Sequence, residues 1–184
     1  LINVLEPKMW SDSSEDEESD SPSAFQKSSI LSQHISFLRD YFRSYKDFTD
    51  SHIDTLEIML QKLYKEWNIT DQTDLSSLAP SDFPILSDLY ALIQEVYENF
   101  DDEKREIYTA ELLQEVLLGI HSMCVGAEST FFNGHTNVDT SHFVTFGVKG
   151  LLEASTNIRN ALLFNLLSFM SHQLLTKGNT VASI

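Results

Sequence analysis

At 184 residues, 42% of them hydrophobic, the chain is long enough for one domain with a sizeable core, or for one domain and a satellite. Its 28 Asp and Glu outweigh 12 Lys and Arg, a formal net charge of -16 that excludes general affinity for nucleic acid, where cations must neutralise phosphates. No apolar run approaches the roughly 18 residues of a membrane span, Leu1 to Pro7 lacks the basic and apolar regions of a signal peptide, and the lone Cys124 excludes an internal disulfide and fits a reducing compartment.

Leu1-Ile2-Asn3-Val4-Leu5 is a short β-like run closed by Pro7, so residues 1–10 are expected to form a core-edge strand. Ser11 to Ser23, SDSSEDEESDSPS, has no apolar residue and cannot bury enough surface to offset its ordering entropy. Residues 11–23 are therefore expected to be an acidic mobile loop, with docking to a basic partner as the alternative. From Ala24 to Phe48, Leu31, Ile35, Leu38, Phe42 and Tyr45 recur at spacings of three and four, which predicts a first helix. Thr49-Asp50-Ser51 supplies N-cap side chains for a second, with Ile53, Leu56, Leu60, Leu63 and Trp67 as its stripe. Asn68 to Asp82, with Pro80, reads as a loop. After Pro84, the positions Ile85, Leu89, Leu92, Ile93 and Val96 mark a third helix. Asp101 to Arg105 is polar. A fourth helix is expected to turn Ile107, Leu113, Val116, Leu117, Ile120 and Cys124 inward and to end at Gly126. Residues 24–126 thus read as a helical bundle subdomain.

Beyond it the pattern changes. Asn133-Gly134 is a turn, and Phe143 to Val148 is a short strand-like run. Ser155 to Lys177 is helical by pattern and carries Leu162, Leu163, Leu166, Leu167, Met170 and Leu174. Lys177-Gly178-Asn179 is expected to break it before a strand opening at Thr180. Residues 127–184 therefore read as strand, helix and strand, the length of a parallel crossover and part of an α/β core. A strand opening at Thr180 and reaching only Ile184 carries the expectation that the chain is an internal piece of a longer protein.

Three strings, taken in order, resemble the VirB4/TraE-like ATPases of conjugative type IV secretion systems, especially Gram-positive forms. Leu1-Ile2-Asn3-Val4-Leu5-Glu6-Pro7 resembles the segment after the second core strand of that family. Pro84-Ile85-Leu86-Ser87-Asp88-Leu89-Tyr90 resembles its proline-led helix start within a helical insertion. Phe131-Phe132-Asn133-Gly134-His135-Thr136-Asn137-Val138-Asp139 resembles the return into the core. The resemblance implies a mainly α fold: a bundle of about four helices inserted in a partial α/β RecA-like core with a few short strands. It also implies an ATPase at the cytoplasmic face of the membrane, with ATP and Mg²⁺ as the parent's cofactors. The expected partners of this chain are proteins of the secretion channel or neighbouring ATPase subunits, with no direct nucleic-acid contact. The family's P-loop would precede Leu1 and its acidic pair would follow the strand at Thr180, so no catalytic, cofactor-binding or metal residue carries over to any position, and this chain alone is expected to be inactive. The alternative is a free-standing acidic α-helical interaction module without catalytic activity.

The remaining chemistry-bearing residues point to no site. Six histidines, His34, His52, His121, His135, His142 and His172, lack the spacing of a ligand set, although His135 and His142 flank a turn. Gly-x-Ser-x-Gly is absent. Asp101-Asp102 and Glu17-Glu18 lie in polar stretches where acid–base roles are not favoured. Cys124 reads as a small buried hydrophobe. The loop Asn133 to Asn137 reads as a chain reversal, with a nucleotide or subunit contact as the functional alternative. Arg159 reads as a surface cation, with a subunit-interface contact as the alternative. The aromatic stripe Phe37, Tyr41, Phe42, Tyr45 and Phe48 reads as core, with a docking face as the alternative.

Overall fold

A serine hydroxyl opens the first helix: Ser29 Oγ accepts the Ser32 backbone N–H at 3.1 Å, satisfying one of the orphan donors of α1, Ile30–Tyr45. The computed structural model describes residues 1–7, 29–137 and 156–181, the last ten of these for backbone only. On α1, His34, Ile35, Leu38, Tyr41, Phe42 and Tyr45 are buried, the expected stripe with a histidine and a second tyrosine added and with Leu31 only half-buried. Helix α2, Asp50–Glu66, starts at the expected cap: Thr49 Oγ1 accepts the His52 N–H, and the Thr49 N–H is accepted by the His52 ring. Its other end is a Schellman turn. Asn68 takes the left-handed conformation at φ 58°, and the N–H groups of Asn68 and Ile69 return to the carbonyls of Lys65 and Tyr64 at 3.1 and 2.9 Å.

Two 3-10 turns, Leu75–Ser77 and Pro80–Asp82, occupy the expected loop. Helix α3, Leu86–Glu98, follows Pro84 as expected, and Asp88 Oδ2 reaches back to the Ile85 N–H at 2.9 Å. Helix α4, Ala110–Cys124, begins where Thr109 Oγ1 accepts the Leu112 N–H at 3.1 Å. That cap falls after Ile107, which therefore lies off the helix face and is 86% exposed, contrary to the expectation that it turns inward. Gly126 stands just past the end of α4. It serves by close approach: its N–H meets the His121 carbonyl at 2.9 Å, and a Cβ there would lie 2.8 Å from Ser122 Cα. A one-turn helix, α5, Ser129–Phe132, leads away from α4.

Helices α1 to α4 form the expected bundle, with α2 against α1, α3 and α4, and α3 paired with α4. Ile53, Leu56, Met59, Leu60, Leu86, Leu89, Ile93, Leu113, Val116 and Ile120 are each at most 1% exposed and form its centre. Burying a side chain of this size stabilises the fold by about 1.5–3 kcal/mol. The long helix α6, Thr156–Val181, packs along α1.

Two expectations fail here. The break at Lys177-Gly178-Asn179 and the strand at Thr180 are absent, because α6 continues through these residues to Val181. A glycine inside a helix costs only about 1 kcal/mol relative to alanine, and a strand would need a pairing partner that the described residues lack. The run Leu1 to Leu5 is not a strand either: residues 4–6 turn, with the Glu6 N–H on the Asn3 carbonyl at 3.2 Å. Its apolar character is spent on burial, Val4 at 1% and Leu5 at 0% exposure. The described residues are mainly helical and contain no strand. The expected acidic loop 11–23, the start of the first helix at 24–28, and the strand Phe143 to Val148 lie outside the described residues.

Candidate functional site

Residues 1–7 run into the bundle as an irregular segment, so their backbone polar groups need partners from elsewhere. Nearly every partner is a single polar side chain set into an apolar surface. His34 Nε2, from α1, donates to the Val4 carbonyl at 2.9 Å. Tyr64, from α2, donates its hydroxyl to the Leu5 carbonyl at 2.5 Å. Asn165 Nδ2, from α6, donates to the Ile2 carbonyl at 3.1 Å. Asn3, itself fully buried, accepts the Leu5 N–H at 3.1 Å and donates to the Pro84 carbonyl at 2.9 Å, at the threshold of α3. Burial pushes the Tyr64 phenol far above its ordinary value, so it stays a donor throughout the physiological range.

The segment that leaves the bundle closes the same junction. Asn3 donates its N–H to Thr136 Oγ1 at 2.9 Å, the Asn137 N–H reaches the Leu1 carbonyl at 3.2 Å, and the Leu1 backbone nitrogen donates to Asn137 Oδ1 at 2.8 Å. Asn133 Oδ1 accepts the Ser87 N–H at 2.8 Å, and His135 Nδ1 donates to the Pro80 carbonyl at 3.0 Å. Gly134 allows the reversal, with φ 153° and with Leu1 Cδ2 only 3.3 Å from where a Cβ would stand. Asn133, His135, Thr136 and Asn137 thus each hydrogen-bond to another part of the chain, while His135 and Asn137 remain exposed. Incoming and outgoing segments meet in one hydrogen-bonded neck.

Sequence reasoning singled out the outgoing segment but missed Asn3, His34, Tyr64 and Asn165. The available signal was a polar group at an inward helical position: His34 stands four residues before Leu38, on the same face.

The other candidate residues do not converge. His135 is in the neck, whereas His142 and the side chain of His172 lie outside the described residues. His121 is exposed, edge-on to Tyr90 at 5.7 Å. Asp101 and Asp102 are exposed, and Glu17 and Glu18 lie outside the described residues. Arg159, expected at the surface, is half-buried on α6. Burial raises the Cys124 thiol well above its ordinary value, which suits a small hydrophobe and not a nucleophile. The aromatic stripe is spent on packing: Tyr41, Phe42 and Tyr45 are at most 4% exposed, Phe37 stacks on Phe164 of α6 at 5.3 Å, and Phe48 lies against Gly119 and His52. Among the described residues no three His, Cys, Asp or Glu side chains gather as a metal site, and no helix is long and apolar enough to cross a membrane. The sequence contains no Gly-x-x-x-x-Gly-Lys-Ser/Thr string and so offers no P-loop cradle for phosphates.

The described residues form a helical bundle whose flanking segments, 1–7 and 133–137, meet in one hydrogen-bonded neck. No protein-family model matches the sequence, and none of the curated proteins does. Among solved structures, the chain is similar to VirB4 of Thermoanaerobacter pseudethanolicus, with a TM-score of 0.72 and 26% identity over 94% of this chain. The chain is VirB4-like over that span and corresponds to 40% of the length of the VirB4 chain.

Proposed function

We propose that the chain is the part of a type IV secretion ATPase that carries a helical contact domain inserted in its nucleotide-hydrolysing core. The observation that carries this reading is the neck. An inserted domain must leave and rejoin its host at neighbouring points, and Leu1 to Asn3 are bonded directly to Thr136 and Asn137. The VirB4 likeness, extending over 94% of the chain, supports a type IV secretion ATPase as the host.

On this reading α6 belongs to the host. Its inward residues Ile158, Ala161, Asn165 and Ser168 are buried, yet Leu163, Leu167 and Met170 are 43%, 53% and 37% exposed at spacings of four and three. A helix apolar on two sides suits a layer covered on both faces, as in an α/β core. The RecA-like strands of the host, its ATP and Mg²⁺, and its place at the cytoplasmic face of the membrane belong to the same proposal. The bundle itself provides contacts to channel proteins or neighbouring subunits, and this chain performs no hydrolysis.

The test is the gene together with its product. The reading frame should encode a P-loop upstream of Leu1 and an acidic pair downstream of Ile184, and the full-length product should hydrolyse Mg-ATP. Calorimetric titration of the 184-residue chain with Mg-ATP should give no saturable heat at micromolar concentrations. A frame confined to these residues, or saturable nucleotide binding by the chain alone, would sink the proposal.

A further inference from the structure

His52 sits at the third position of α2 and uses both ring nitrogens. Nδ1 lies 3.1 Å from the Thr49 backbone nitrogen, and Nε2 is bonded to Glu115 Oε2 on α4. A backbone N–H can only donate, so Nδ1 must present its lone pair to Thr49, and the ring hydrogen must lie on Nε2, pointing at the Glu115 carboxylate. One neutral tautomer satisfies both contacts. The imidazolium cannot, because it places a second N–H against the Thr49 N–H.

From this geometry we infer that His52 is a proton-operated latch, which when neutral ties the N-cap of α2 to α4 and when protonated lets go of the Thr49 N–H while keeping Glu115. The released Nδ1–H has an acceptor close by in Thr49 Oγ1, at 3.0 Å, so the ring turns toward the hydroxyl that now caps the His52 N–H. The corner between α1 and α2 is coupled to this movement, because the Phe48 ring is edge-on to His52 at 5.9 Å and lies against Gly119 of α4. Glu115 on α4 is the charge bonded to the ring, and the corner that precedes His52 in sequence carries Lys46, Asp47 and Asp50, with Arg43 of α1 holding Asp50 at 3.2 Å. Lys46 Nζ lies 3.4 Å from the Gly119 carbonyl, on the α4 side of the same corner.

The inference is tested on the 184-residue chain by NMR. At alkaline pH the ring ¹⁵N shifts of His52 should report the Nε2–H tautomer. As the ring titrates, the exchange protection of the Thr49 amide should fall about five-fold, with the midpoint of the ring, as expected for one lost cap bond. His52→Gln offers a carbonyl oxygen to the same N–H and cannot titrate, so it should keep the protection and abolish its pH dependence. An Nδ1–H tautomer, or Thr49 protection that follows pH equally in His52→Gln, overturns the inference.

Discussion

Asn3 and Pro84, 81 positions apart, are joined by a hydrogen bond of 2.9 Å from the Asn3 amide to the Pro84 carbonyl, at a site closed to solvent. The same amide accepts the Leu5 N–H, so one side chain shapes the incoming segment and fastens it to the start of α3. Replacing it leaves a buried acceptor and a buried donor unsatisfied. Asn3→Ala is expected to lower stability by about 2–4 kcal/mol, and Thr136→Val, which removes one neck bond, by about 1 kcal/mol. Urea unfolding midpoints check both, and equal small effects would show that the neck is dispensable.

Three tyrosines set the response to base. Burial raises the phenols of Tyr41, Tyr45 and Tyr64 above their ordinary value, and the Glu128 carboxylate beside the Tyr45 hydroxyl raises Tyr45 further. A raised folded value means that the unfolded chain gives up these protons first. Their contribution is therefore constant below about pH 10 and falls as pH rises beyond it. The urea midpoint should begin to decline above about pH 8.5, where the unfolded chain ionises the Cys124 thiol that burial keeps protonated, and fall further from about pH 10, less steeply there in Tyr64→Phe. A midpoint flat in that range contradicts the burial of these hydroxyls.

The stacking of Phe37 on Phe164, at 5.3 Å and 9° between planes, is a direct aromatic bond between α1 and α6. A double-mutant cycle of Phe37→Leu and Phe164→Leu should give a coupling of about 0.5–1.5 kcal/mol. Strict additivity would mean that α6 does not lie on α1 in solution.

Asn68 holds the left-handed position that ends α2. Asn68→Gly is expected to be neutral or stabilising by up to about 1 kcal/mol, and Asn68→Val to cost about 1–2 kcal/mol, because a β-branched side chain resists positive φ. Thermal unfolding of the two variants should shift in opposite directions, or at least differ clearly.

Much of the bundle was legible before any coordinates, because helices are announced locally. The stripe from Leu31 to Tyr45, the Thr49 cap and the Pro84 start are each written within a few neighbouring residues. Ile107 misled because an apolar residue shortly before the stripe of α4 reads as part of it, although it is out of phase with that stripe and the Thr109 hydroxyl begins the helix beyond it. Thr180 misled because a β-branched residue after Gly178 resembles a strand start, whereas the helical ladder of α6 runs through both. For the neck, the turn at Asn133-Gly134 was readable, but its partners on residues 1–7 were not.

From composition, spacing and caps alone, the four-helix character, the acidic surface and the buried role of Cys124 could be worked out, since these depend on periodicity and average hydropathy. Where Asn3, His34, Tyr64 and Asn165 would send their hydrogen bonds was decided only by the tertiary structure. Each needs an acceptor that is distant in the chain, and no local pattern records which carbonyl folding will strand beside it.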